Sequence, residues 1–124
     1  MKVQILLSIK PEFVARIFDG VKKFEFRKVV ANKNIDAIVI YATAPVMRVV
    51  GCVQVRGIIG DRPDELWQKT KNAAGITREF FDSYFAGRDM AYAYVLGDVV
   101  RYDVPKTLSE FGLRAAPQGF VYLG

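Results

Sequence analysis

The chemistry available to this chain is concentrated in one short run, Lys22-Lys23-Phe24-Glu25-Phe26-Arg27. Arg27 offers a planar guanidinium fork that grips a phosphate or a base edge with two hydrogen bonds. On a strand, Glu25 shares a face with Arg27, and the two start about 6–7 Å apart at the backbone. From there Glu25 can orient Arg27, accept from a base amino group, or act as a general base. Lys22 has the opposite parity, but it falls in the turn after Gly20, where parity does not bind it. Lys10 begins the preceding helix, at the same end of the domain if strand, helix and strand pack together. By parity alone Lys23, Glu25 and Arg27 read first as a solvated, ion-paired strand face, with the ligand-binding reading as the alternative. Tyr41, Trp67, Tyr92 and Tyr94 are the aromatic candidates for stacking on a base, although each also suits core or groove packing.

Other groups narrow the chemistry. Histidine is absent, which removes the usual base near neutral pH and the commonest metal ligand. Any catalysis falls to Lys, Glu, Asp, Tyr, Ser or Thr. The single cysteine, Cys52, excludes an internal disulfide and a multi-cysteine zinc site. Its setting, Val49-Val50-Gly51-Cys52-Val53, is that of a buried, inert thiol. Asp61, Asp64 and Glu65 lie close in sequence and read as helix-capping charges more simply than as a divalent-ion cluster. The sequence calls for no metal and no cofactor.

These residues need a scaffold. A length of 124 residues suits one domain spanning 1–124, and a hydrophobic content of 52% supports one sizeable core. The net charge of +5 is localised: residues 1–33 hold eight basic and three acidic groups, and the remainder holds ten of each. Such a basic quarter suits an anionic partner such as RNA or a nucleotide, or equally a lysine-rich solvated surface. No stretch approaches the ~20 apolar residues of a membrane span. The opening, Met1 to Lys10, lacks the long apolar region and small-residue cleavage site of a signal peptide. The expected location is cytoplasmic, with no membrane partner.

Val3 to Ile9 reads as a strand. Pro11 suits the first turn of a helix. Phe13, Val14, Ile17 and Phe18 give that helix one apolar face, and Gly20 ends it in a left-handed cap. Alternation predicts a strand over Lys23 to Val30 with Phe24 and Phe26 toward the core. Ala31 to Asn34 is a turn. Asp36 to Thr43 is a strand buried on both sides, and Met47 to Ile59 is a longer one, with Gly51 and Gly57 placed for bulges. Between Asp61 and Gly87 the period becomes helical. Asp61 or Asp64 caps one helix and Thr77 caps another bearing Phe80, Phe81, Tyr84 and Phe85. A strand follows from Met90 to Val104, with a bulge or turn at Gly97-Asp98. Thr107 and Glu110 fit a capping box, and Phe120 to Leu123 closes the chain as a strand. Strands separated by short helices indicate an α+β fold, a small mixed β-barrel with short peripheral helices.

The run Leu7-Ser8-Ile9-Lys10-Pro11-Glu12-Phe13, continued by Ile17-Phe18-Asp19-Gly20-Val21-Lys22-Lys23-Phe24-Glu25-Phe26-Arg27, resembles the opening of the ASCH family. Pro117-Gln118-Gly119-Phe120 resembles the closing stretch of such domains. The resemblance implies a PUA-like barrel and a ligand cleft beside this helix and strand, with Lys22 leaning over its mouth; Lys10, Lys23, Glu25, Arg27 and Tyr41 are the further ligand-binding candidates read from the residues. It implies an RNA- or nucleotide-binding module. The family also includes amidohydrolases of acylated cytidine, described ribonucleases and a transcriptional cointegrator, so the alternatives are hydrolysis of an acylated cytidine nucleoside, metal-dependent RNA cleavage, and a protein-interaction role in transcription regulation. Amidohydrolase members pair the lysine with a threonine three residues on and with a distant glutamate. Here the threonine position is Glu25, and residues 68–74 (Gln-Lys-Thr-Lys-Asn-Ala-Ala) offer no glutamate. In an enzyme, Lys22 and Glu25 would be the catalytic pair.

Overall fold

A computed structural model describes residues 2–32 and 34–124. The chain order is β1 (Gln4–Ile9), α1 (Pro11–Phe18), β2 (Phe24–Arg27), β3 (Ala37–Ala42), β4 (Arg48–Asp61), α2 (Pro63–Thr70), α3 (Arg78–Tyr84), β5 (Ala91–Lys106) and β6 (Phe120–Leu123). Short 3-10 turns at Lys71–Ala73 and Leu108–Phe111 complete it. The six strands form one sheet in the order β2-β5-β4-β3-β1-β6. The β1–β3 pair is parallel and the others are antiparallel. The sheet curls into the half-barrel of the expected α+β class.

Side-chain alternation places three apolar clusters on the two faces of this sheet. Ile5, Leu7 and Ile9 of β1 join Ile38, Ile40 and Ala42 of β3, together with Val14 and Ile17 of α1. The intervening residues Leu6, Val39 and Tyr41 turn the other way and pack beside Val49 under the Leu108–Phe111 turn and β6. That two-sided burial is why β3 reads as a continuous apolar run. The third cluster lies under α2 and α3, where Phe26, Leu66, Phe81 and Phe85 meet. Phe81 is fully buried, which stabilises the fold by about 1.5–3 kcal/mol relative to exposure.

The local signals give the observed elements with a few differences. Gly20 has φ of +79° after α1, the left-handed conformation its position demands. Gly51 and Gly57 fall at shifts in the β4–β5 register, and a further shift falls at Gly97-Asp98. Thr77 accepts a hydrogen bond from the Phe80 N–H, and Thr107 and Glu110 form their capping box. Strand β2 is shorter than the alternation predicts. It pairs only with Tyr92 to Val95 of β5, and β5 itself begins at Ala91, so the ladder runs out after Arg27. Neither Asp61 nor Asp64 caps α2. Arg62 occupies that position without a side-chain bond and Pro63 follows, while Asp61 ends β4 and pairs with Lys69. The expected turn at Ala31 to Asn34 includes Lys33, which lies outside the described residues. No described helix is long and apolar enough to cross a membrane.

Candidate functional site

Pairing with β5 fixes the direction of the β2 side chains. Glu25 lies opposite Tyr94, Phe26 opposite Ala93 and Arg27 opposite Tyr92. Phe26 therefore enters the cluster under α3, and Glu25 turns toward the α1 side with the fully buried Tyr94. Glu25 itself is buried. The face that reads as solvated is covered, because α1, α3 and residues 71–76 close around it.

Lys22 is held by neighbours distant in sequence. The turn after Gly20 sends the Lys22 N–H to the Arg16 carbonyl (3.0 Å), and the Lys23 N–H reaches the Ala73 carbonyl (2.8 Å). The Lys22 ammonium donates to the Ala74 carbonyl at 2.9 Å. It lies 3.8 Å from Glu25 Oε1 and sits over the rings of Phe26 (5.0 Å) and Phe13 (5.4 Å), a favourable place for a cation. Only 3% of Lys22 is exposed. Burial pulls its pKa from 10.5 down to about 8, with Glu25 acting the other way and the Arg16 and Arg27 charges adding to the fall.

Arg27 completes the row. Its Nε and Nη2 donate to Glu25 Oε2 at 3.1 and 2.9 Å, and Nη2 also donates to the Ser8 carbonyl at 2.8 Å. The guanidinium thus joins β2 to the end of β1. The Ser8 hydroxyl donates to the Pro117 carbonyl at 2.8 Å, which ties the closing stretch to the same place. Two cations and one carboxylate leave the row with one net positive charge. It borders a cavity of about 210 Å³ whose lining includes Lys10, Phe13, Phe26, Phe80 and Tyr84. This arrangement can hold an anionic group at the cations while aromatic walls flank a planar ring.

The structure brings Lys10, Lys22, Glu25 and Arg27 together around that cavity. Lys23 is exposed and is not among its lining residues. Tyr41 lies in the cluster beside Leu6, Val39 and Val49, because β3 alternation turns it away from α1. Trp67 packs on Phe81 at 5.1 Å. Tyr94 is buried, with its hydroxyl accepting the Ala31 N–H, and Tyr92 is paired opposite Arg27. The aromatic walls come instead from Phe13, Phe26, Phe80 and Tyr84. The only sequence signal for the last two is the i, i+4 aromatic spacing of α3. Asp61 pairs with Lys69 and Asp64 with Arg78. Among the described residues no group of three or more His, Cys, Asp or Glu side chains is placed to hold a metal ion. A larger groove of about 380 Å³ runs along another face of α1, past Asp19, Arg101 and Asp103, and contains none of the residues singled out for the cleft.

Gly75 seals the Lys22 slot. Its φ is +69°, and a Cβ there would come within 2.6 Å of Lys22 Cγ and 2.9 Å of Lys22 Cα. Substitution Gly75→Ala is expected to cost about 1–3 kcal/mol from the backbone conformation alone and to displace Lys22 as well. Thermal unfolding together with ligand titration checks both effects; an unchanged melting temperature would mean that residues 71–76 can move aside.

The family model of the ASCH domain matches residues 7–103. A protein of Zymomonas mobilis named ASCH domain-containing ribonuclease is 32% identical over 96 residues, covering 77% of this chain and 65% of that protein. The large ribosomal subunit protein uL22 of Ureaplasma parvum is 29% identical over 120 residues, covering 96% of this chain. The chain spans only 39% of that relative's length. The crystal structure of ASCH from Zymomonas mobilis superposes with a TM-score of 0.89 at 28% identity, covering 98% of this chain and 87% of that one.

Proposed function

The chain belongs to the ASCH domain family, and from that premise we propose that its cavity binds RNA by taking in one unstacked nucleotide. The observation that carries the reading is the buried Lys22–Glu25–Arg27 row beside an aromatic-walled cavity. Holding two cations out of water is costly unless they are paired, and this row keeps one cation in excess of its carboxylate. A phosphate or an electron-rich base edge supplies the missing partner. Arg27, already oriented by Glu25 and the Ser8 carbonyl, meets it with its remaining donors. Phe13, Phe80 and Tyr84 offer faces for the base. The name of the Zymomonas mobilis relative supports RNA as the polymer.

That name and the lowered pKa of Lys22 favour one second reading, cleavage of the bound strand. A lysine that titrates near pH 8 can act as the base for a 2′-hydroxyl. The hydroxyl oxygen would then attack the adjacent phosphorus, giving a cyclic phosphate and releasing the 5′-oxygen of the next nucleotide. That leaving oxygen takes up a proton.

Fluorescence anisotropy of a short labelled single-stranded RNA tests binding. Lys22→Met and Arg27→Ala are each expected to weaken it while the domain stays folded. Unchanged affinity in both variants would move the site elsewhere. The pH dependence separates the two readings. Binding that uses cationic Lys22 weakens as pH rises through about 8. Cleavage that uses the neutral amine accelerates over the same interval, followed as labelled product on a denaturing gel.

A further inference from the structure

Building on the reading of the cavity as an RNA site, we infer that the ligand is a strand rather than a lone nucleotide, and that it leaves the cavity across Tyr84 toward Lys28 and Arg88. On α3, Phe80 and Tyr84 lie one helical turn apart, with rings parallel to within 10° and centroids 6.4 Å apart. Both border the cavity. Phe80 remains 37% exposed, although Phe81 of the same helix packs fully inward. A cation sits over each ring: Lys10 over Phe80 at 5.5 Å and Lys28 over Tyr84 at 4.9 Å. Arg88 donates to the Lys28 carbonyl, which brings a second exposed cation to the Tyr84 end.

Rings carry bases and neighbouring cations carry phosphates, the combination by which proteins track a single strand. Lys28 and Arg88 are absent from the cavity lining, so a nucleotide seated in the cavity does not account for them. The carboxylate of Asp82 on α3 is held by Arg78, and the exposed Asp89 beside Arg88 still leaves Lys28 and Arg88 one positive charge in excess. A strand with one nucleotide in the cavity and the next on Tyr84 places its following phosphate at Lys28 and Arg88. Charge complementarity therefore favours a polyanion extending beyond the cavity mouth.

The test compares a labelled single-stranded RNA of about ten nucleotides, within the site size of one small domain, with the ribonucleoside 5′-monophosphates. The variant is Lys28→Gln combined with Arg88→Gln, outside the cavity. Wild-type protein is expected to bind the oligonucleotide more tightly than any mononucleotide. The variant should weaken the oligonucleotide, with a log–log salt slope shallower by about 0.7, for the one phosphate no longer neutralised. Mononucleotide affinity should be unchanged. An unaltered oligonucleotide slope, or equal affinity of the wild type for strand and mononucleotide, overturns the track and leaves the cavity reading in place. Oligonucleotide binding that responds to Lys28 and Arg88 but not to Lys22→Met supports the track and removes the cavity from it. Wild-type protein that binds neither probe overturns both.

Discussion

Replacing Glu25 by alanine is expected to destabilise the fold by about 3–5 kcal/mol near neutral pH. Glu25 is 5% exposed and lies between two cations, accepting two hydrogen bonds from Arg27 and facing Lys22 at 3.8 Å. Without it, Lys22 and Arg27 become like charges in a covered space. The sign of the pH dependence follows from Lys22. In the native chain its pKa falls from 10.5 to about 8. Between those values the unfolded chain holds a proton that the folded chain has released, so stability rises with pH across that window. Below about pH 8 the full cost of carrying the charged lysine is present, about 3 kcal/mol by the size of the shift. Losing Glu25 removes the one charge that raises the Lys22 pKa, so the variant should give up that proton at a lower pH and recover stability sooner as pH rises. Urea unfolding of the wild type, Glu25→Ala, Lys22→Met and the double variant at several pH values gives the coupling energy directly. The double variant should regain much of the loss. If Glu25→Ala unfolds at the wild-type midpoint, carbonyl groups and water already satisfy the two cations and the carboxylate is not what holds the row.

Phe26→Ala is expected to cost a similar 3–5 kcal/mol, on the order of other buried aromatic truncations. The ring is 6% exposed and meets Phe81 edge-on at 5.2 Å and Phe85 at 6.4 Å. The Lys22 ammonium also lies 5.0 Å from its centroid. Truncation therefore opens a void beneath α3 and removes a favourable surface from a buried cation at the same time. Phe24→Ala should cost clearly less, since Phe24 is half-buried at the margin of that cluster. Equal losses for the two variants, measured by urea midpoint, would reverse this ranking. Because Phe26 also borders the cavity, its variant should weaken the RNA binding proposed for that cavity even below the unfolding temperature.

How far the sequence reaches can be judged from these same residues. The proline-led helix, the Gly20 cap, the Thr77 cap and the Thr107–Glu110 box are local, and local chemistry suffices to place them. Strand parity correctly separates Phe26 from Glu25 and Arg27. Parity cannot say whether a polar face is wet, and here that face is covered by segments far along the chain. The Lys22 ammonium reaches a carbonyl 52 residues away, a closure that no spacing rule encodes. Tyr41 shows the converse. Its strand is legible, but when both sides of a strand are buried, alternation does not tell which side borders the cavity. The walls supplied by Phe80 and Tyr84 read as core packing for the same reason.

The bonds that enclose Lys22 also determine when its slot comes into being. The Lys23 N–H reaches Ala73 and the Leu96 N–H reaches Lys23, so β2 is fastened between two segments that arrive from much later in the chain. Closing such loops costs entropy before any contact compensates for it. The slot is therefore expected to form late in folding. The amide hydrogens of Lys23 and Leu96 exchange with solvent only when that fastening opens. Their protection from deuterium measures, in the absence of any ligand, the fraction of molecules in which the site exists.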